Sequence, residues 1–223
     1  MIAGTDTGVG KTILSMLIMN YLFSKGANPF YIKPFQTGCV TPESAGSDAV
    51  FIYNNVKQLD NADPSDSVIN CHTSPKAPWF AAEDMNETID IQRTLSIINK
   101  MEDNYSHLII EAAGGLFVPV NSNTMIIDII QKLDAYPILA ARAGLGTINH
   151  TLLSIEALRQ RGIESFGIVL LDPEKEGTAK DMIRENIEAI EKFGNTKVAG
   201  VIGYLKNFRS PLAEHYSPLE CFF

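Results

Sequence analysis

Gly4-Thr5-Asp6-Thr7-Gly8-Val9-Gly10-Lys11-Thr12 is the stretch that decides the fold. A short apolar run, residues 1–3, precedes it. A helical pattern over residues 11–25, apolar along much of its length, follows and is ended by Gly26. A strand, a glycine-rich loop and a helix N-terminus in that order make an anion cradle, because the loop amides and the unpaired amides of the first helical turn face the same place. The strict phosphate-loop pattern is Gly, four residues, then Gly-Lys-Ser/Thr. This chain misses it by one position: Gly4 lies six before Gly10, and Thr5 holds the strict first-glycine place. The physics survives the extra residue. Gly8, Val9, Gly10 and Ile13 are expected to frame a nucleoside triphosphate, Lys11 to reach its β- and γ-phosphates, and the Thr12 hydroxyl to ligate magnesium. The bland alternative is a glycine-rich turn with a chance Gly-Lys-Thr; the strand before and the helix after speak against it.

Outward from the loop, strand-like and helix-like stretches alternate. Strands are expected at 29–33, 107–112, 136–141, 166–171 and 197–202. Helices are expected at 48–57, 88–104, 123–133, 147–161 and 178–193, with Ser47 placed to cap the first of these. Residues 60–80, rich in Asp, Asn, Ser and Pro, read as loop, and 204–223 show little pattern. The alternation implies an α/β fold: one domain over residues 1–223, a mostly parallel sheet with helices on both faces, of the phosphate-loop NTPase type. Ligands of such sheets sit beyond the carboxyl ends of the strands. The loops at 4–10, 34–38, 112–116, 142–147 and 172–176 each follow a strand, so the chemistry is expected along one edge.

The bulk composition is that of a globular enzyme-sized chain: 223 residues, 45% hydrophobic, 20% charged, net charge −8. No Lys/Arg cluster offers a footprint for nucleic acid, and no polybasic patch or membrane-length apolar run points to a bilayer. Cys39, Cys71 and Cys221 are odd in number and far apart, which reads as a reduced, cytoplasmic protein without a zinc or redox pair. The chain enters its fold at once, leaving no room for a signal peptide.

Several side chains sit where chemistry is expected. Glu111 ends the apolar Leu108-Ile109-Ile110, the usual place of a carboxylate that faces magnesium; the alternative is a glutamate turned to solvent. Asp48, at a helix start, reads from the residues alone as a partner of the helix dipole. Lys33 closes a strand just before Pro34 and faces either the phosphate edge or water. Thr37, before Gly38, can offer a hydroxyl to a ligand. Arg142 is a phosphate contact or a surface cation. His72, His107, His150 and His215 have no metal spacing.

These blocks, taken in order, resemble the dethiobiotin synthetase family. They are residues 4–12, Lys33-Pro34-Phe35-Gln36-Thr37-Gly38, Ser47-Asp48-Ala49, residues 111–119, and the specific run Leu145-Gly146-Thr147-Ile148-Asn149-His150-Thr151-Leu152-Leu153. The resemblance covers residues 2 to about 203. It implies that diaminopelargonic acid takes up carbon dioxide (from bicarbonate in solution) as a carbamate. The carbamate attacks the γ-phosphate of ATP, and a neighbouring amine closes the cyclic urea of dethiobiotin. By the same resemblance Lys33 holds carbamate and γ-phosphate, Lys11 the phosphates, and Thr7 lies near the γ-phosphate. Thr12, Asp48 and Glu111 form the magnesium set, which reverses the dipole reading of Asp48. Ala112, Ala113 and Gly114 border the nucleotide. Thr37 contacts substrate. Gly146 and Asn149 meet the substrate carboxylate from a second subunit, which implies a homodimer.

The sequence also departs from the family. Leu171-Asp172 stands where Asn-Asp is usual, and a leucine cannot read a base as an amide does. Gly203 replaces a common proline. Other triphosphates besides ATP are therefore expected to serve. Ala112 replaces a usual glycine and is expected to crowd the nucleotide. The first strand is several residues short, which points to an N-terminus further upstream. Three other readings compete: a cobyrinic-acid-type amidoligase, which normally carries a glutaminase domain; a partition-type ATPase switch, which usually has a second lysine where Asp6 and Thr7 stand here; and a degenerate family member that binds nucleotide but does no chemistry, against which the intact Lys11, Thr12, Lys33, Asp48 and Glu111 speak.

Overall fold

The computed structural model describes residues 1–223. Seven strands form one parallel sheet: β1 (Ile2–Gly4), β2 (Pro29–Thr37), β3 (Val68–His72), β4 (His107–Gly115), β7 (Ile138–Arg142), β8 (Gly167–Leu171) and β9 (Val198–Ile202), in the spatial order β3-β2-β4-β1-β7-β8-β9. Between β4 and β7 a small antiparallel pair, β5 (Pro119–Asn121) and β6 (Thr124–Met125), stands apart. The helices are α1 (Lys11–Ser24), α2 (Asp48–Asn55), α3 (Pro78–Glu83), α4 (Ile91–Glu102), α5 (Ile126–Lys132), α6 (Thr147–Gln160) and α7 (Lys180–Gly194). None is long and apolar enough to cross a membrane.

Successive strand residues face opposite sides, and both sides are dry. In β7, Ile138 and Ala140 join a core with Leu14, Leu17 and Ile18 of α1, while Leu139 and Ala141 join a second core with Ile126, Ile130 and Leu158. That double burial is why the strands read as continuous apolar runs rather than alternating ones.

The sequence expectation is corrected at three places. Residues 60–80 are not all loop: they hold β3 and the start of α3. Strand β2 does not stop at Lys33. It pairs with β4 through Pro29–Ile32 and with β3 from Lys33 to Thr37, so Pro34, which lacks an N–H, falls just past the change of partner. The segment after β9 is ordered against the core. Leu205, Leu219 and Phe222 are buried there, and Tyr216 lies against Tyr21 with ring centroids 6.3 Å apart. This covers the outer side of α1, and it explains why that helix is apolar nearly all round.

Candidate active site

The phosphate loop emerges between β4 and β7, the two neighbours of β1. Gly8 (φ 69°) and Gly10 (φ 92°) take left-handed conformations that let the chain turn back to start α1 at Lys11. No side chain caps α1, and the first backbone bond of the helix runs from Leu14 N to Gly10 O. The amides of Lys11, Thr12 and Ile13 are thus left for an anion. Lys11 folds back along the loop and donates to the Asp6 carbonyl at 3.1 Å. Arg142 donates to the Thr7 carbonyl at 3.1 Å, so its contact is with the loop backbone.

Beside the loop lies a compact ionic cluster. Lys33 Nζ is 2.7 Å from Asp48 Oδ2 and 2.9 Å from Glu111 Oε1. The Thr12 hydroxyl lies 3.1 Å from Asp48 Oδ1 and 2.9 Å from Glu111 Oε1. Lys33 and Glu111 are 4% and 1% exposed, so each charge depends on the other for compensation. Burial alone would lower the Lys33 pKa; the two carboxylates outweigh it and raise it. Tyr31 donates to the second oxygen of Glu111 at 2.9 Å.

Asp48 is placed by Gln36, whose Oε1 accepts from the Asp48 amide at 3.1 Å. Ser47 occupies the N-cap position of α2 but its side chain makes no capping bond, so the expected cap is supplied by Gln36 from β2 instead.

A cavity of about 830 Å³ opens over this cluster. It is lined by Thr7, Gly8, Gly10, Lys11, Thr12, Ile13, Lys33, Thr37, Asp48, Glu111, Ala113 and Gly114, all expected from sequence, and by Gln36, Phe51, Lys76, Pro78 and Val118, which were not. The remaining expected residues lie elsewhere. Val9 and Ala112 turn their side chains into the cores, and Ala112 offers its carbonyl to Lys33 at 3.4 Å. The methyl of Ala112 therefore does not crowd the cavity. Leu171 is 2% exposed and packs under Gly10. With Ile13, Pro173, Gly203, Tyr204 and Phe208 it walls a separate apolar cavity of about 40 Å³. The Asp172 carboxylate is occupied in closing its own loop, accepting from Thr178 N at 2.7 Å and Thr178 Oγ1 at 3.0 Å. Gly146, at φ 89°, is the N-cap of α6, and Asn149 is exposed one turn on; both lie outside the main cavity.

A search against protein families matches residues 1–211 to a family described as AAA domain. Among curated proteins, the ATP-dependent dethiobiotin synthetase of Methanococcus vannielii is 31% identical over 93% of this chain and 94% of its own. That of Halalkalibacterium halodurans is 32% identical over 96% of this chain and 87% of its own. The chain belongs to the dethiobiotin synthetase family. Among solved structures, the MinD cell division protein of Aquifex aeolicus aligns with a TM-score of 0.61 over 99% of this chain and 93% of its own, at 13% identity. A plasmid partition protein of Borrelia burgdorferi aligns at 0.59 over 99% and 95%, at 16% identity. At these identities the likeness shows the fold of this dethiobiotin synthetase family member alone.

Burial, and then the charge on Lys33, lower the Lys11 pKa to about 8, with Glu111 and Asp48 offsetting only part of this. Above that pH the free protein's Lys11 sheds its proton, and an anionic ligand loses a partner. Nucleotide affinity is therefore expected to be level below pH about 8 and to weaken by up to about tenfold per pH unit above it, with proton uptake on binding. Calorimetry in buffers of different ionisation enthalpy checks this. A level affinity with no proton uptake up to pH about 9.5 would contradict it.

Proposed function

We propose that this chain is an ATP-dependent dethiobiotin synthetase, acting on diaminopelargonic acid, carbon dioxide and ATP in biotin synthesis. The observation that carries the reading is the joining of two features in one cavity. One is a phosphate loop with an uncapped helix start. The other is a buried lysine from a different strand, Lys33, held at the edge of that loop by Asp48 and Glu111.

The reaction needs positioning and charge more than a protein nucleophile. One substrate amine forms a C–N bond to carbon dioxide and loses a proton, giving a carbamate. A carbamate oxygen attacks the γ-phosphorus, and the bond to the ADP oxygen breaks. The second amine then attacks the carbamoyl carbon, closing the ring and expelling phosphate. Lys11 and the loop amides bind the phosphate oxygens. Lys33 neutralises charge shared between carbamate and γ-phosphate, a donor placed before charge develops. Thr7 borders the γ-phosphate and Thr37 the substrate.

The donor set of Thr12, Asp48 and Glu111 is all oxygen, and no third His, Cys, Asp or Glu joins it. That suits magnesium, which takes few protein ligands and completes its shell with phosphate and water. Bound there, it supplies positive charge to the phosphoryl group during transfer. Leu145 and Leu153, 91% and 61% exposed around Asn149, fit a homodimer in which Gly146 and Asn149 serve the neighbouring site. We place the enzyme in the cytoplasm, where its unpaired cysteines stay reduced.

The test is incubation with diaminopelargonic acid, bicarbonate, magnesium and ATP, with dethiobiotin read by mass spectrometry and one phosphate released per product. Absence of product alongside substrate-independent ATP hydrolysis would overturn the reading in favour of a switch. The same assay addresses the base. The wall of the small apolar cavity carries no side-chain amide, and its one polar side chain is Tyr204. Ile13 borders this cavity and the phosphate cavity alike, and a base seated against Ile13 and Leu171 would meet apolar side chains and no side-chain amide. CTP and GTP are expected to support turnover within about 100-fold of ATP in kcat/KM, because apolar walls discriminate weakly. A preference for ATP of about 10⁴-fold is the mark of a hydrogen-bonding base site and would refute this.

A further inference from the structure

Strand β2 runs beside β4 with Tyr31 opposite Ile109. Side chains two apart share a face, so Tyr31 and Lys33 on β2 and Glu111 on β4 all come to the same side of the sheet. The phenol of Tyr31 is 1% exposed, and its hydroxyl donates to Glu111 Oε2 at 2.9 Å. The other carboxylate oxygen, Oε1, lies 2.9 Å from both Lys33 Nζ and Thr12 Oγ1. One oxygen of Glu111 is thus tied to the protein interior, and the other faces the phosphate side. The strand beneath is itself braced: Ser67 Oγ donates to the Tyr31 carbonyl at 2.7 Å, and the Tyr53 hydroxyl lies 2.8 Å from Ser67 Oγ.

We propose that Tyr31 is a positioning residue for the phosphoryl-transfer site: its buried hydroxyl fixes Glu111 so that Oε1 is presented beside Thr12 and Asp48. The proposal rests on the reading of Glu111 as a magnesium carboxylate. A buried carboxylate oxygen with no donor is costly, and without Tyr31 the group gains by rotating toward Lys33 or water. Ligating carboxylates are oriented by such outer hydrogen bonds, and losing one typically weakens metal binding about 10- to 100-fold. Burial and the adjacent Glu111 both favour the protonated phenol, so it stays a donor.

The experiment compares Tyr31→Phe, Glu111→Gln and Tyr53→Phe. The affinity for the non-hydrolysable analogue AMPPNP is measured in excess magnesium and in excess EDTA, and the ratio is the gain due to metal. Tyr31→Phe keeps every carbon of the side chain. It is expected to lower that ratio about tenfold or more while leaving the EDTA value unchanged. Tyr53→Phe removes a hydrogen bond of the same network that does not touch Glu111. It is expected to lower the melting temperature with the ratio intact. Site-specific 3-fluorotyrosine at position 31, which retains the donor, is expected to keep the wild-type ratio, and it carries the test should Tyr31→Phe fail to fold. A wild-type ratio in Tyr31→Phe with a reduced one in Glu111→Gln overturns the role of Tyr31 alone. A wild-type ratio in both overturns the magnesium reading of Glu111 and the Tyr31 role with it. Equal loss in Tyr31→Phe and Tyr53→Phe, or a fluorotyrosine protein that loses the ratio, also overturns it.

Discussion

Lys33→Ala is expected to lower dethiobiotin formation by at least about 10³-fold while changing nucleotide affinity by less than about tenfold. Lone donors and cations aimed at charge that moves during phosphoryl or acyl transfer are worth about 10²- to 10⁵-fold in rate. On the proposed reading nucleotide binding falls to a different segment, the loop amides and Lys11, none of which comes from β2. The variant also has a structural signature. Removing the ammonium leaves Asp48 and Glu111 without their shared cation, and breaking a buried pair in this way costs about 3–5 kcal/mol. Asp48 is 31% exposed at its side chain, so the loss is set by the wholly buried Glu111 and lies toward the lower figure. The melting temperature should fall, and magnesium with nucleotide should restore more of it than in the wild type, because bound cation and carboxylates then compensate each other. Steady-state kinetics, calorimetry and thermal melting read the three effects separately. Equal loss of turnover and of nucleotide affinity would contradict the assignment of Lys33 to the carbamate side.

How much of this was legible in the sequence follows from which forces are local. The phosphate loop and Glu111 were, because glycines mark the first and an apolar run leads into the second; Lys33 was left open between the phosphate edge and water, and the resemblance to a family carried it, for β2 runs four residues beyond it. Asp48 was not. Its side chain reaches Thr12 and Lys33 only because Gln36, on another element, holds the start of α2. From the residues alone it looked like any helix-dipole aspartate, and the resemblance to a family carried it. Tyr31 left a faint signal, the two-residue spacing from Lys33, with nothing to say that a carboxylate lay across the strand. β3 was hidden because Val68-Ile69-Asn70-Cys71-His72 is a short edge strand inside a stretch rich in Asp, Asn, Ser and Pro, and its pairing with β2 is a tertiary event. The last twenty residues place their apolar side chains without period, so no local pattern shows that they cover α1; the apolar sequence of α1 itself was the readable sign of a cover. Leu171 and Asp172 were assigned to the nucleotide through a family pattern. In the structure Leu171 also packs under Gly10 and Asp172 also closes its own loop.

That packing makes Gly10→Ala the second large effect. Gly10 holds φ at 92°, where a side chain costs about 1–2 kcal/mol. The added Cβ would also lie 2.8 Å from Leu171 Cγ and 3.2 Å from Leu171 Cβ, and overpacking of a dry contact costs a further ~1–3 kcal/mol. Leu171 sits at the end of β8, whose residues are all buried, so it has little room to yield, and the strain passes to the loop. The uncapped amides of the first turn of α1 begin at the next residue. Restoring the binding-competent loop against this strain and clash costs a few kcal/mol, at about 1.4 kcal/mol per tenfold, and nucleotide affinity is expected to fall by about 100-fold. The clash and the backbone strain separate in a double-mutant cycle. Leu171→Ala alone opens a cavity and costs about 2–5 kcal/mol. Combined with Gly10→Ala it removes the Cγ collision and lets the new methyl occupy part of the space. The double variant is therefore expected to be more stable than the sum of the singles by about 0.5–3 kcal/mol. Its nucleotide affinity should stay low, because the left-handed strain at position 10 remains. Strict additivity in denaturant unfolding would show that Leu171 does not set the position of Gly10, and full recovery of affinity would show that φ at this residue is not what holds the loop.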